Sequence, residues 1–200
     1  MKLVTNSFYG FLPHAVRKSF ETAWSLERKR LNRKGISVLS WRNRMLGWHF
    51  VSLLLAVGFY LGYGAPGLVF FLGQGLIALT AHHVINYIQH YGLRRRRQNN
   101  GTFDRFGYAH AWNGNFFFSG MLSFQLPRHV DHHLNSKRRY QNLQHLEESP
   151  QMPMGYFGMF LMALIPSLWF KVMNPRIAAY QIIKRNSSSE TAKYSKPFRF

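Results

Sequence analysis

Residues 46–81 run for 36 positions without a formally charged side chain, and His49 and Gln74 are the most polar groups among them. At about 1.5 Å per residue, one straight helix of that length would extend about 54 Å, well beyond the roughly 30 Å of bilayer hydrocarbon. Gly62-Tyr63-Gly64-Ala65-Pro66-Gly67 interrupts the run near its middle with the residues of a tight turn. The pattern therefore predicts two apolar helices, residues 45–61 and 67–87, paired as a transmembrane hairpin. Cations bracket it: residues 28–44 are rich in arginine, and Arg94, Arg95, Arg96 and Arg97 lie beyond its other end. By the positive-inside rule both ends lie in the cytoplasm and the turn faces outward. A buried hairpin in a soluble core is the alternative, and the abruptness of the arginine blocks weighs against it.

The overall charge fits the same picture. Lys and Arg number 26 against seven acids, for a formal charge of +19. Such an excess selects nucleic acid or an anionic membrane as partner, and the apolar run selects membrane lipid, with no nucleic acid. Residues 12–32 set Val16, Phe20, Trp24, Leu26 and Leu31 among Arg17, Lys18, Arg28, Lys29 and Arg30, which predicts a basic amphipathic helix at the cytoplasmic interface. It lacks the continuous apolar core of a cleaved signal peptide. Residues 154–173 carry a single charge, Lys171, with Pro166 inside, which predicts a kink or a re-entrant piece. The expected fold class is all-α: an integral membrane helical protein with a transmembrane hairpin plus cytoplasmic amphipathic and histidine-bearing helices. Residues 1–185 form one domain in this reading, and residues 186–200 a basic, serine-rich disordered tail.

With no cysteine, thiolate zinc sites, iron–sulfur clusters and disulfides are excluded. The seven acids include no Glu-x-x-His, so a soluble di-iron carboxylate bundle is excluded too. A metal must rest on the ten histidines, which suit iron, zinc, copper or nickel. Leu126-Pro127-Arg128-His129-Val130-Asp131-His132-His133 is where they concentrate. On a helix, His129 shares a face with His132 or His133, while those two diverge by roughly 100°, so the pair can serve two different metals. A solvated histidine-rich turn is the alternative. His90 lies at the cytoplasmic end of the second predicted span, where ionisable groups are functional candidates. His82 and His83 read as interfacial or core histidines, and His14, His49 and His145 as structural.

Several segments resemble one family. Asn86-Tyr87-Ile88-Gln89-His90-Tyr91-Gly92-Leu93 is similar to the Asn-Tyr-x-Glu-His-Tyr-Gly-Leu signature of membrane-bound alkane 1-monooxygenases. Residues 126–141 resemble their last histidine box and the segment after it. Tyr9-Gly10-Phe11-Leu12-Pro13, Ala23-Trp24-Ser25-Leu26-Glu27, Ala111-Trp112-Asn113 and residues 150–156 match in the same order. The likeness extends to the xylene monooxygenase hydroxylase subunits of the membrane fatty-acid-desaturase-like superfamily. It implies a non-haem di-iron site that activates dioxygen for insertion into an unactivated C–H bond, with His90, His129, His132 and His133 among the metal ligands. It further implies that Asp131 orients a ligating imidazole. Hydrophobic alkanes or alkyl-aromatics would be substrates. Rubredoxin or a similar electron-transfer protein, with its reductase, would dock at residues 94–97 and 137–139. Phosphate contact at the leaflet is the other reading of those cations. The metal site would face the cytoplasm, at a bacterial inner membrane.

Two departures qualify the implication. Gln89 stands where alkane-oxidising members commonly carry Glu. The family's two earlier boxes, of the types His-Glu-x-x-His and Glu-His-x-x-x-His-His, are not in these 200 residues. The chain is therefore expected to be the C-terminal half of such an enzyme, inactive alone, with a separate N-terminal half as one source of the remaining ligands. Two functions of other classes compete: a membrane zinc-dependent hydrolase using His129, His132 and His133, and a non-catalytic, degenerate basic membrane protein.

Overall fold

Asn43 opens the long apolar helix. Its Oδ1 accepts the backbone N–H of Met45 at 2.9 Å and that of Leu46 at 3.4 Å, and its Nδ2 donates to Val38 O at 2.7 Å. Two amides that have no partner inside the helix are thereby satisfied. The computed structural model describes residues 6–95, 97–98 and 101–194, with side chains as far as Ile183. Its regular elements are helical: α1 (Phe8–Asn32), α2 (Arg44–His90), α3 (Phe117–Leu122), α4 (His129–Leu134), α5 (Tyr156–Ala163) and α6 (Pro166–Tyr194), with 3-10 turns at Tyr108–His110 and Tyr140–Asn142. Extended pairing among the described residues is limited to isolated bridges, Arg97 with Phe103 and Asn113 with Gln151. The all-α expectation stands. The described residues divide into two compact units, residues 9–84 and residues 6–8 with those from 85 onward.

In the first unit, Glu27 joins the end of α1 to the start of α2. Its carboxylate accepts from Arg30 Nε at 2.8 Å and Nη2 at 2.6 Å and from the Arg44 N–H at 2.7 Å. The Arg30 hydrogen bond holds this carboxyl down at about 2, against burial that pushes it up, with the Arg44 N–H assisting. Along α2 only Gly64 leaves helical geometry, at φ 65° and ψ −155°. Positive φ is open to glycine, and Pro66 just beyond needs no N–H partner as a new helix starts. Beyond the break, Phe71 stacks on Phe59 with centroids 5.4 Å apart. A straight helix would separate these residues by about 18 Å, so the chain turns back on itself. A Cβ on Gly67 would collide with the Phe59 carbonyl, which is why a glycine sits at that approach. The turn is tighter than the six-residue loop expected from residues 62–67. α2 is long and apolar enough to cross a membrane, with 6% of its most apolar window buried.

In the second unit, Tyr87, Tyr91 and Trp169 cluster, with Trp169 5.1 Å from each tyrosine ring. Tyr91 Oη donates to Asn174 Oδ1 at 2.8 Å. α2 stops at His90 because Gly92 takes φ 71°, and a Cβ there would overlap the Ile177 side chain. The segment expected to kink at Pro166 does so: α5 and α6 meet at 120°, with Pro166 as the first residue of α6. α6 continues to Tyr194, into the stretch from Asn186 whose serine content pointed to disorder. Extending an existing helix is far less costly than nucleating one. Residues 195–200 of that predicted tail lie outside the described residues.

Candidate metal centre

The site is built where α2 ends and α4 begins. His90 is the last residue of α2, and its Nδ1 lies 3.1 Å from the carbonyl of His110. A carbonyl only accepts, so Nδ1 carries the proton and Nε2 presents a lone pair. His129 is the first residue of α4 and is buried; His133 lies one turn later on the same face. His133 Nε2 and His129 Nε2 are 2.8 Å apart, and His129 Nε2 and His90 Nε2 3.4 Å. These three residues form a group whose ligand atoms all lie within 4.8 Å of one another. Nitrogens sharing one ion at about 2.1 Å would be separated by about 3.4 Å in tetrahedral and about 3.0 Å in octahedral arrangement. The His129–His90 separation matches the first, and His129 and His133 are slightly closer than the second.

The donors also have the required protonation state. Burial drives the His129 pKa well below the ordinary imidazole value, and His133, His90 and His132 add repulsion. Burial, then His90 and His132, lower His133 in the same direction. Neutral imidazoles are what a metal binds. Their Nε2 atoms face one another, and the buried Nδ1 of His129 has no hydrogen-bond partner. Three imidazole nitrogens that converge on one point are a donor set that fits a metal. Phe106 packs on His133 with centroids 4.4 Å apart and covers one side of the group.

Of the four histidines expected as ligands, the fold brings His90, His129 and His133 together. His132 stays outside the cluster, exposed, with its ring centroid 6.1 Å from that of His129. This is the divergence that adjacent helical positions impose. His82 and His83 are edge to face, 5.2 Å apart, on α2 and outside the cluster. His145 Nδ1 lies 3.3 Å from Asn113 Nδ2.

Asp131 does not take the role expected of it. Its buried carboxylate accepts from Arg138 Nη1 at 2.9 and 2.8 Å, Asn135 Nδ2 at 2.7 Å and the Gln144 N–H at 2.8 Å, rather than from an imidazole. Residues two apart on a helix point to different sides, so Asp131 faces away from His129 and ties α4 to residues 135–144. Burial raises its pKa, but the Gln144 N–H, Asn135 and Arg138 together hold it below the ordinary carboxyl value. Arg138 is thereby committed inside the fold.

Other contributors had no role assigned from the sequence, although Trp112 lies in a segment of the family resemblance. His110 acts through its carbonyl, while its Nδ1 accepts the Gly107 N–H at 2.9 Å. Trp112 donates from its backbone to Gln89 O and from Nε1 to Tyr91 O, both at 2.8 Å, closing the exposed carbonyls where α2 ends. Phe106 is a single aromatic at no diagnostic spacing, and Tyr156, although inside the matching residues 150–156, is placed beside the site only by the fold.

Comparison with known proteins identifies the family. Over 174 residues the chain is 53% identical to alkane 1-monooxygenase 2 of Alcanivorax borkumensis and 49% identical to alkane 1-monooxygenase 2 of Pseudomonas aeruginosa, in each case covering 87% of this chain and 46% of the relative. It is 32% identical over 177 residues to the xylene/toluene monooxygenase hydroxylase component of Pseudomonas putida, covering 84% of this chain and 44% of the relative. The chain thus spans about half the length of these relatives. Residues 3–163 match the fatty acid desaturase family, a stretch that includes His90 and the whole of α4, and on that match the chain belongs to the fatty acid desaturase family.

Proposed function

We propose that this chain is part of a membrane non-haem di-iron monooxygenase that hydroxylates the terminal methyl of alkanes or the methyl groups of alkyl-aromatics. The observation that carries the reading is the convergence of His90, His129 and His133 Nε2 atoms, in a chain about half identical to proteins named alkane 1-monooxygenases. Here His90, His129 and His133 hold one iron. His132, on the other side of α4, serves the second together with histidines from two further boxes outside these residues. When bound, an iron pair would supply dioxygen activation, with one oxygen entering a C–H bond and the other leaving as water on delivery of two protons and two electrons from a donor protein. The chain's own residues keep the buried His129 imidazole neutral, fix the His90 tautomer through His110, and shield one flank with Phe106.

The exposed side chains of α2, among them Leu53, Val69, Phe70 and Ile77, form an apolar surface too large for water. They support a transmembrane hairpin in a bacterial inner membrane, with both ends and the metal site on the cytoplasmic side. A rubredoxin-like electron donor meets cations such as Arg94, Arg95, Lys137 and Arg139, which also face anionic headgroups. One observation favours a second reading: three histidines at one point is also the ligand count of a catalytic zinc.

The test expresses residues 1–200 with and without an upstream segment bearing both boxes, supplies rubredoxin and reductase, and measures metal per chain and terminal alcohol from a medium-length alkane. Alcohol and two irons per chain only in the longer protein is the expected result. Zinc with hydrolytic activity would establish the second reading, and alcohol from residues 1–200 alone would refute the division of ligands.

A further inference from the structure

Gln89 immediately precedes His90 and is buried, with its amide Nε2 2.6 Å from Tyr156 Oη. The same phenol oxygen lies 3.2 Å from Leu126 O, in the turn that leads into α4 and His129. Tyr156 is itself buried, and its backbone N–H donates to Ser119 Oγ at 2.9 Å. The direction of this chain of bonds is determined by counting protons. A carbonyl only accepts and a phenol has one hydrogen. The Tyr156 hydrogen therefore goes to Leu126 O, and Gln89 must donate to the phenol. The backbone of Gln89 is also held, because its carbonyl accepts the Trp112 N–H at 2.8 Å.

We propose that Gln89 and Tyr156 are positioning residues for the metal centre, a one-way clamp from amide to phenol to carbonyl that sets the distance between His90 and His129. His90 and His129 are 39 positions apart in sequence, yet the clamp joins the residue before one to the turn before the other. Neither clamp residue is among the three convergent ligands; they act by fixing where two of those ligands begin. This inference rests on the metal reading above and deepens it: changing Gln89 or Tyr156 alters the field around a bound ion without removing a ligand.

The probe is Co2+ alone, titrated into the full chain in detergent and followed by its visible ligand-field bands, with far-ultraviolet circular dichroism alongside. Tyr156→Phe keeps the ring and removes both hydrogen bonds; Gln89→Leu removes the donor at similar volume. Each should weaken Co2+ binding about tenfold, the lower end for outer partners of metal ligands, and shift the bands while helix content is unchanged. The double variant should be no weaker than the worse single one, because both break the same chain. Should Gln89→Leu impair folding, Tyr156→Phe alone decides. Parental affinity and spectrum in Tyr156→Phe would overturn the clamp and leave the metal reading intact. Additive losses in the double variant, or helix content falling in step with Co2+ binding, would overturn it as well. No ligand-field bands in the parent protein would refute the metal reading and the clamp together.

Discussion

Replacing Asp131 with alanine should be among the most damaging single changes outside the ligands themselves. Its carboxylate is 2% exposed and accepts from Arg138, Asn135 and the Gln144 N–H. Hydrogen bonds to a charged group contribute about 1.5–3 kcal/mol each, but the Arg138 side chain is 31% exposed and can turn to water. Asn135 is exposed and regains water as well. Gln144 is exposed too, so after these discounts the loss is about 3 kcal/mol, equivalent to roughly two hydrogen bonds to a charged group. For a chain of this size that is a fall of roughly 6–12 °C in melting temperature. Tryptophan fluorescence during heating in detergent would measure it, and Co2+ affinity should fall in parallel because α4 carries His129 and His133. Arg138→Ala should cost less, since Asp131 keeps its other two donors. The Asp131→Ala/Arg138→Ala double variant should melt close to Asp131→Ala alone. If Asp131→Ala melts within about 2 °C of the parent, the carboxylate does not hold α4, and the role assigned to it fails.

His90→Ala, His129→Ala and His133→Ala should each abolish stoichiometric metal binding by equilibrium dialysis, whereas His14→Ala should leave it unchanged; equal sensitivity would indicate a folding effect. Gly92→Val must adopt the φ of 71° and intrude on Ile177, so it should destabilise by about 2–4 kcal/mol, with partial recovery in Gly92→Val/Ile177→Ala by thermal melting. Glu27, whose folded-state pKa is depressed from 4.5 to about 2, contributes stability that is fully present above 4.5 and lost as pH falls toward 2. Glu27→Gln should flatten that part of the acid melting profile, and an unchanged slope would remove Glu27 from the account. The protein should remain with membranes through high salt and alkaline carbonate; release by either contradicts burial of the α2 surface in lipid.

Much of this organisation is local and therefore readable from residue order. The uncharged run, its glycine and proline punctuation and the cation blocks constrain neighbouring residues directly, so the break at Gly64 and the bend at Pro166 were foreseeable. The histidine face of α4 is only partly local: helical periodicity places His132 or His133 with His129 and separates those two, and the fold selects His133. Tertiary structure decided what joins that face. His90 reaches it across 39 positions, the carbonyl of His110 and the ring of Phe106 come from a segment with no pattern of its own, and the Gln89–Tyr156–Leu126 bonds join three segments whose family likeness does not say that they meet. Asp131 shows the limit most clearly: the family resemblance implied an imidazole partner, but the carboxylate meets Arg138 and the Gln144 N–H. Spacing along a chain determines which side chains share a face. Which distant backbone donor or carbonyl meets that face depends on how the chain returns, and that is determined by packing.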